Sequence, residues 1–138
     1  MRTPAYYRGM TPTARAASRS SRTAAHRRTV QVDVSSIAEF LAENLGTSLV
    51  GLIADVDANT VRRWASPSGD KPREEAEHRL RAAYQVFQEL LPYESPATIR
   101  AWFMGMNPQL DDVSPGESIA AGQFREVLAA ARAFISGG

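Results

Sequence analysis

Residues 57–73 read DANTVRRWASPSGDKPR, which gathers Asn59, Thr60, Arg62, Arg63, Lys71 and Arg73 into one short stretch. Their chemistry suits nucleic acid. An arginine fork pairs with guanine O6 and N7, an asparagine carboxamide does the same for adenine, and either arginine can hold phosphate instead. Thr60 falls near the start of a predicted helix, where free backbone amides attract phosphate. Lys71 and Arg73 follow at a distance suited to the flanking backbone. Most charge pairs on a helix are only a solvated face, so the positions of Arg62 and Arg63 decide the matter. With Val61 and Trp64 turned inward, helical spacing turns Ala58, Asn59, Arg62 and Arg63 outward.

Two short helices must hold that surface in place. The pattern needs apolar locking residues, a small residue where the helices cross and a turn between them. Val50 and Ala54 supply the inner face of the first helix, Gly51 is the small residue, Val56 plugs the turn, and Val61 with Trp64 anchors the second helix. Asp55 occupies the turn position that favours glycine. Aspartate is among the few other residues that tolerate a left-handed backbone, so the expected helix-turn-helix survives this departure.

Other chemistry is poorly supplied. The chain has no cysteine, which removes disulfides, thiolate metal sites and a cysteine nucleophile, and its two histidines, His26 and His78, lie far apart. No glycine loop for phosphate, nucleophile elbow or metal-ligand spacing is present. Asp111 and Asp112 are adjacent in sequence, whereas a working acid and base must flank a bound substrate. Neither an enzyme nor a cofactor is expected. No apolar run approaches the roughly 18 to 20 residues needed to cross a bilayer, which suggests a soluble, cytoplasmic protein.

The remaining text is helical throughout, predicting an all-α fold. Ser35 or Ser36 is placed to cap a helix carrying Ile37, Phe40, Leu41 and Leu45, stopped by Gly46. Helices follow over about Ser48 to Ala54 and Ala58 to Ala65, the latter capped by Asp57. The longest spans about Pro72 to Leu91, with the stripe Ala76, Leu80, Ala83, Tyr84, Phe87, Leu90 and Leu91. Ser95-Pro96 opens another with Ile99, Trp102 and Phe103 inward, Ser114-Pro115-Gly116-Glu117 reads as a capping box, and Gln123 to Ile135 forms the last.

The net charge of +1 hides a division: residues 1–30 hold seven arginines and no acid, leaving nine bases against 15 acids beyond them, a net −6. The first stretch has too little apolar surface to offset the entropy of ordering, so residues 1–33 are expected to be a disordered basic tail. Three readings of it stay open: an arm on DNA, an inert leader with Met10 as the true start, or a targeting peptide.

The segments GLIADVDANTVRRW, EAEHRLRAAYQVFQELLP and AWFMGMNPQLDDVSPGESIAAGQFREVLAAARAF resemble the Xre/ParS-type antitoxins, including the mycobacterial MbcA-like branch. The strongest part of the pattern is Trp102, Asn107-Pro108-x-Leu110, Pro115, Glu117, Gly122 and Val127-Leu128. The resemblance implies a helix-turn-helix over 34–91 and a small helical toxin-binding domain over 92–138. It further implies that the protein neutralises a RES-domain toxin that consumes NAD and represses its own operon by binding operator DNA. Trp102 and Asn107 match that binding module, though turn-forming and core roles explain much of the pattern. The exposed pair Asp111 and Asp112, together with the last turn Arg132 to Ile135, including Phe134, offers the better toxin contact. A helix-turn-helix of this size suggests a homodimer, with Tyr84, Phe87 and Leu91 as a possible seam. The rival reading is a stand-alone repressor, for instance of phage origin, with no toxin partner; the basic tail leans toward it.

Overall fold

The computed structural model describes residues 32–137. Those residues form seven α-helices and one short 3-10 turn; they contain no strand, only an isolated antiparallel bridge between Asn107 and Val113. The fold is all-α. In chain order the helices are α1 (Val34–Leu45), α2 (Thr47–Ala54), α3 (Ala58–Ala65), α4 (Glu74–Leu90), α5 (Pro96–Met104), α6 (Pro115–Ala120) and α7 (Phe124–Ile135), with the 3-10 turn at Pro108–Leu110 between α5 and α6. The expected tail of residues 1–33 lies outside the described residues except for its last two.

Local chemistry explains the boundaries. α1 is capped by Asp33, not by Ser35 or Ser36: the Asp33 carboxylate accepts from both serine amides, at 3.0 and 3.4 Å. The cap sits two or three residues early, so that Val34 and Ser35 fall within the helix, where both are buried. α4 starts at Glu74, two residues later than the proline signal indicated. Arg73 is extended and caps without a side-chain bond, while Glu74, Glu75 and Glu77 still crowd the positive end of the helix dipole. The capping box of Ser114 and Glu117 forms as expected, and Ser95 accepts from the Thr98 amide at the head of α5.

One hydrophobic core runs through both halves of the chain. Ile37, Leu41, Leu45, Val50, Ile53, Val61, Leu80, Phe87, Leu90, Ile99, Phe103, Ile119 and Val127 are fully excluded from solvent. The turn after α4, between the expected regions 34–91 and 92–138, joins two parts of a single shared core. Burying this apolar surface is the main favourable contribution to folding.

The stripe on α4 differs from expectation at two places. Val86 is buried and Leu91 is exposed, because the helix ends at Leu90 and Leu91 leaves the core. Phe87 is spent inside, and half-buried Tyr84 meets Phe40 edge-on at 5.4 Å. Phe87 is thus unavailable for the seam proposed with Tyr84 and Leu91.

Candidate nucleic-acid interface

α2 and α3 are joined by a three-residue turn whose geometry is set by two residues. Asp55 takes up the left-handed conformation, φ 63° and ψ 47°, and its amide closes α2 onto Gly51 and Leu52. Gly51 then meets the turn directly: a Cβ at this position would stand 2.6 Å from the Val56 carbonyl oxygen, a backbone atom with nowhere to swing. The Val56 amide in return donates to the Gly51 carbonyl at 2.9 Å. Glycine is required here by close approach, as the crossing position of the sequence pattern anticipated.

Val61 and Trp64 lie buried under α3, with Trp64 only 5% exposed, so they fix which face of the helix looks out. Asn59, Arg62 and Arg63 occupy that outer face, and Thr60 is half-buried beside them. Arg62 bonds the Asn59 carboxamide oxygen and reaches Thr47 Oγ1 at 3.5 Å. It makes no ion pair among the described residues. Both groups able to read a base edge are therefore held together by a bond that a base would have to replace.

Arg63 is differently placed. Its Nε donates to Asp70 at 3.2 Å and its Nη2 to Thr60 Oγ1 at 3.0 Å. The ion pair is open to water, with the Arg63 and Asp70 side chains 55% and 71% exposed, so the pair is worth little. Asp70 arrives there through the loop 66–73, which folds back across the end of α3. Gly69 makes this possible, since a Cβ on it would fall 2.0 Å from the Arg63 carbonyl oxygen.

The head of α3 is a poor phosphate site. Asp57 caps it by accepting from the Thr60 amide at 2.8 Å, and that bond, with a lesser contribution from the Thr60 side chain, holds its carboxyl below the ordinary aspartate range. Asp55, Asp57 and Glu117 also line a shallow cleft between the α2–α3 turn and α6. The phosphate contact expected at Thr60 meets this acidic side, and Thr60 braces Arg63 instead. Favourable charge lies toward the far end of α3, where Lys71 and Arg73 are both exposed. Lys71 pairs loosely with Asp33 at 3.9 Å.

The residues expected to face a protein partner are gathered only in part. Trp102 on α5 and Phe134 on α7 meet with ring centroids 6.1 Å apart, and Phe134 is 39% exposed. Ile135 is half-buried against the core, and exposed Arg132 is engaged by Glu89 at 3.4 Å. Asn107 is buried and its side chain accepts from the Gln109 amide, which makes it a builder of the turn at Pro108. Asp111 and Asp112 are exposed and both left-handed, with φ 56° and 65°. Met104 and Met106 went unnoticed in the sequence, yet they stand 58% and 80% exposed just beyond Trp102. A methionine following an apolar helix gives no sequence signal of exposure, because only the helix end at Gly105 turns it outward.

Among the described residues, no three histidine or acidic side chains are grouped to hold a metal ion, and no helix is long and apolar enough to cross a membrane. Comparison of the chain with protein-family profiles, curated proteins and solved structures returned no match.

Proposed function

We propose that this protein is a DNA-binding antitoxin: α2 and α3 act as a helix-turn-helix on operator DNA, and the C-terminal helices hold a RES-domain toxin that consumes NAD. The observation that carries the DNA half is Arg62. Its guanidinium is exposed, makes no ion pair among the described residues, and is aimed outward by the buried pair Val61 and Trp64. α3 enters the major groove, Arg62 and Asn59 meet base edges, and Arg63, Lys71 and Arg73 hold the backbone. Two copies reading two half-sites would supply enough contacts for specific repression.

The toxin half rests on the resemblance and on the surface around Trp102 and Phe134. Exposed Phe134 lies on half-buried Trp102, and apolar surface left open in this way favours a protein partner. Met104 and Met106 are further exposed apolar side chains at the C-terminal end of α5, and methionine adapts readily to a partner's shape. A stand-alone repressor is the second reading, favoured by the seven arginines ahead of residue 31.

Co-expression with the product of the adjacent gene tests the choice. Co-purification together with loss of the neighbour's toxicity supports the antitoxin. A chain that binds upstream DNA yet leaves the neighbour free supports the repressor. Unchanged DNA affinity on Arg62→Ala overturns the groove assignment in both.

A further inference from the structure

We infer that Arg100, on α5, is a further DNA-contacting residue, holding a phosphate at the rim of the groove that α3 enters; this rests on the reading of α3 as a DNA-facing helix. Gly46 joins α1 to α2 at φ 87°, a backbone conformation that suits glycine. The Arg100 guanidinium lies over it: a Cβ on Gly46 would stand 3.3 Å from Arg100 Nη2 and 3.6 Å from its Cζ. Thr47, the next residue, is reached by Arg62, whose Nη2 stands 3.5 Å from the Thr47 Oγ1. α3 and α5 therefore bring two guanidiniums to the same two-residue junction, far apart though they are in sequence. Arg100 is exposed, as Arg62 is, and makes no hydrogen bond or ion pair among the described residues.

Spacing supplies the second reason. With about 3.8 Å between adjacent Cα atoms, the two guanidiniums stand no more than about 15 Å apart. The major groove is about 12 Å wide, so while Arg62 meets base edges inside it, Arg100 falls at its rim, where the sugar-phosphate backbone runs. Two like charges with no carboxylate between them repel, and a phosphate beside them relieves that repulsion. Phosphate contacts fix the register of a protein on the duplex, and Arg100 sets that register from a helix packed into the core through Ile99 and Phe103. Trp102 lies two positions on, about 200° around the helix, so a protein partner seated on Trp102 approaches the other side of α5. The rival is a structural role: Arg100 lies at the C-terminal end of α1, where a cation suits the helix dipole.

The test uses the full-length chain with Arg100→Gln, Arg100→Lys or Arg62→Ala. Binding to a mixed-sequence DNA duplex and to the DNA upstream of its gene is measured from about 50 to about 200 mM salt. Arg100→Gln should flatten the log-log salt slope by about 0.9 and weaken binding to both duplexes alike, by roughly 5- to 10-fold at about 100 mM salt. Arg100→Lys, which keeps the charge, should restore most of both. Tm should stay within about 4 °C of the parent, because the side chain is exposed. A lower Tm with an unchanged slope overturns the proposal in favour of the α1 dipole role. A loss confined to the upstream duplex also overturns it, since a phosphate contact is blind to sequence. A slope changed by less than about 0.3 overturns it as well, and if Arg62→Ala still weakens binding the helix reading stands. Where neither variant affects binding, both readings fall.

Discussion

Gly51→Ala is the sharpest test of how α3 is aimed. The added methyl would stand 2.6 Å from the Val56 carbonyl oxygen and 3.5 Å from the Asp57 carbonyl carbon. Ordinary carbon to oxygen contacts begin near 3.3 Å, so the turn must retreat by roughly 0.7 Å. Gly51 lies within α2, and at an unobstructed helical site alanine would be favoured by about 0.8 to 1.0 kcal/mol. Overpacking against backbone costs about 1 to 3 kcal/mol, and here no side chain can swing aside to reduce it. With the cost toward the upper end of that range because backbone must move, the net expectation is a loss of up to about 2 kcal/mol, which lowers Tm by up to about 10 °C in a domain of this size. Thermal unfolding followed by helical circular dichroism reads this directly. DNA affinity measured at 25 °C should fall further than the small unfolded fraction explains, because the displaced turn rotates α3 against Val61 and Trp64. A Tm equal to or above that of the parent would refute the reasoning, since it would show the turn yielding freely and the crossing leaving α3 unconstrained.

Three further outcomes follow from the contacts around α3 and α7. Asp70→Asn should tighten duplex binding severalfold while changing stability by less than about 0.5 kcal/mol, and the gain should vanish in an Arg63→Ala background. Asp57 is held below its ordinary range by the Thr60 amide, so its charged form adds stability that is present above the unfolded value and lost as pH falls through the lower folded value. In Asp57→Asn, which keeps a capping oxygen, that part of the acid-side fall in Tm should disappear, leaving a flatter Tm profile below about pH 4. Phe134→Ala with Met106→Ala should cost about 1 to 2 kcal/mol, most of it from Phe134, which is 39% exposed and packs on Trp102, yet abolish co-purification with the neighbouring gene product; retained capture would remove these two side chains from the partner surface.

The helices were legible because each combines a short-range cap with an apolar period. Asp57, Ser95 and Ser114 all act as caps where the sequence placed them, and Asp55 adopts the left-handed turn that its residue type permits. Burial of Val61 and Trp64 followed from spacing alone. The inequality of Arg62 and Arg63 did not. It depends on Asp70 returning to α3, and that return depends on Gly69 passing close to the Arg63 carbonyl, a contact made by a loop with no periodicity to read. The exposed Leu91 and Met106 were hidden for a related reason: helix ends, set by tertiary packing, decide on which side of the surface the next residue falls.

The shared core bears on how the two proposed surfaces would influence one another. α6 seats against α2 at Gly116, where a Cβ would lie 3.3 Å from Leu49 Cδ1 and 3.4 Å from Leu52 Cδ2. α2 in turn fixes α3 through Gly51 and Val56. A partner that shifts α5 or α7 would thus act through α6 and α2 on α3, the helix that carries the arginines of the proposed DNA surface. Packed interiors resist continuous deformation, so such a shift passes to α3 or is resisted by the whole core. If it passes, linkage requires reciprocity: whatever factor a bound partner imposes on DNA affinity, bound DNA imposes on partner affinity. If the core resists, the two affinities are independent and a ternary complex forms with neither changed. A hinge at Pro92 would have made independence the default; the continuous burial of Leu90, Ile99 and Phe103 across that turn argues for coupling instead.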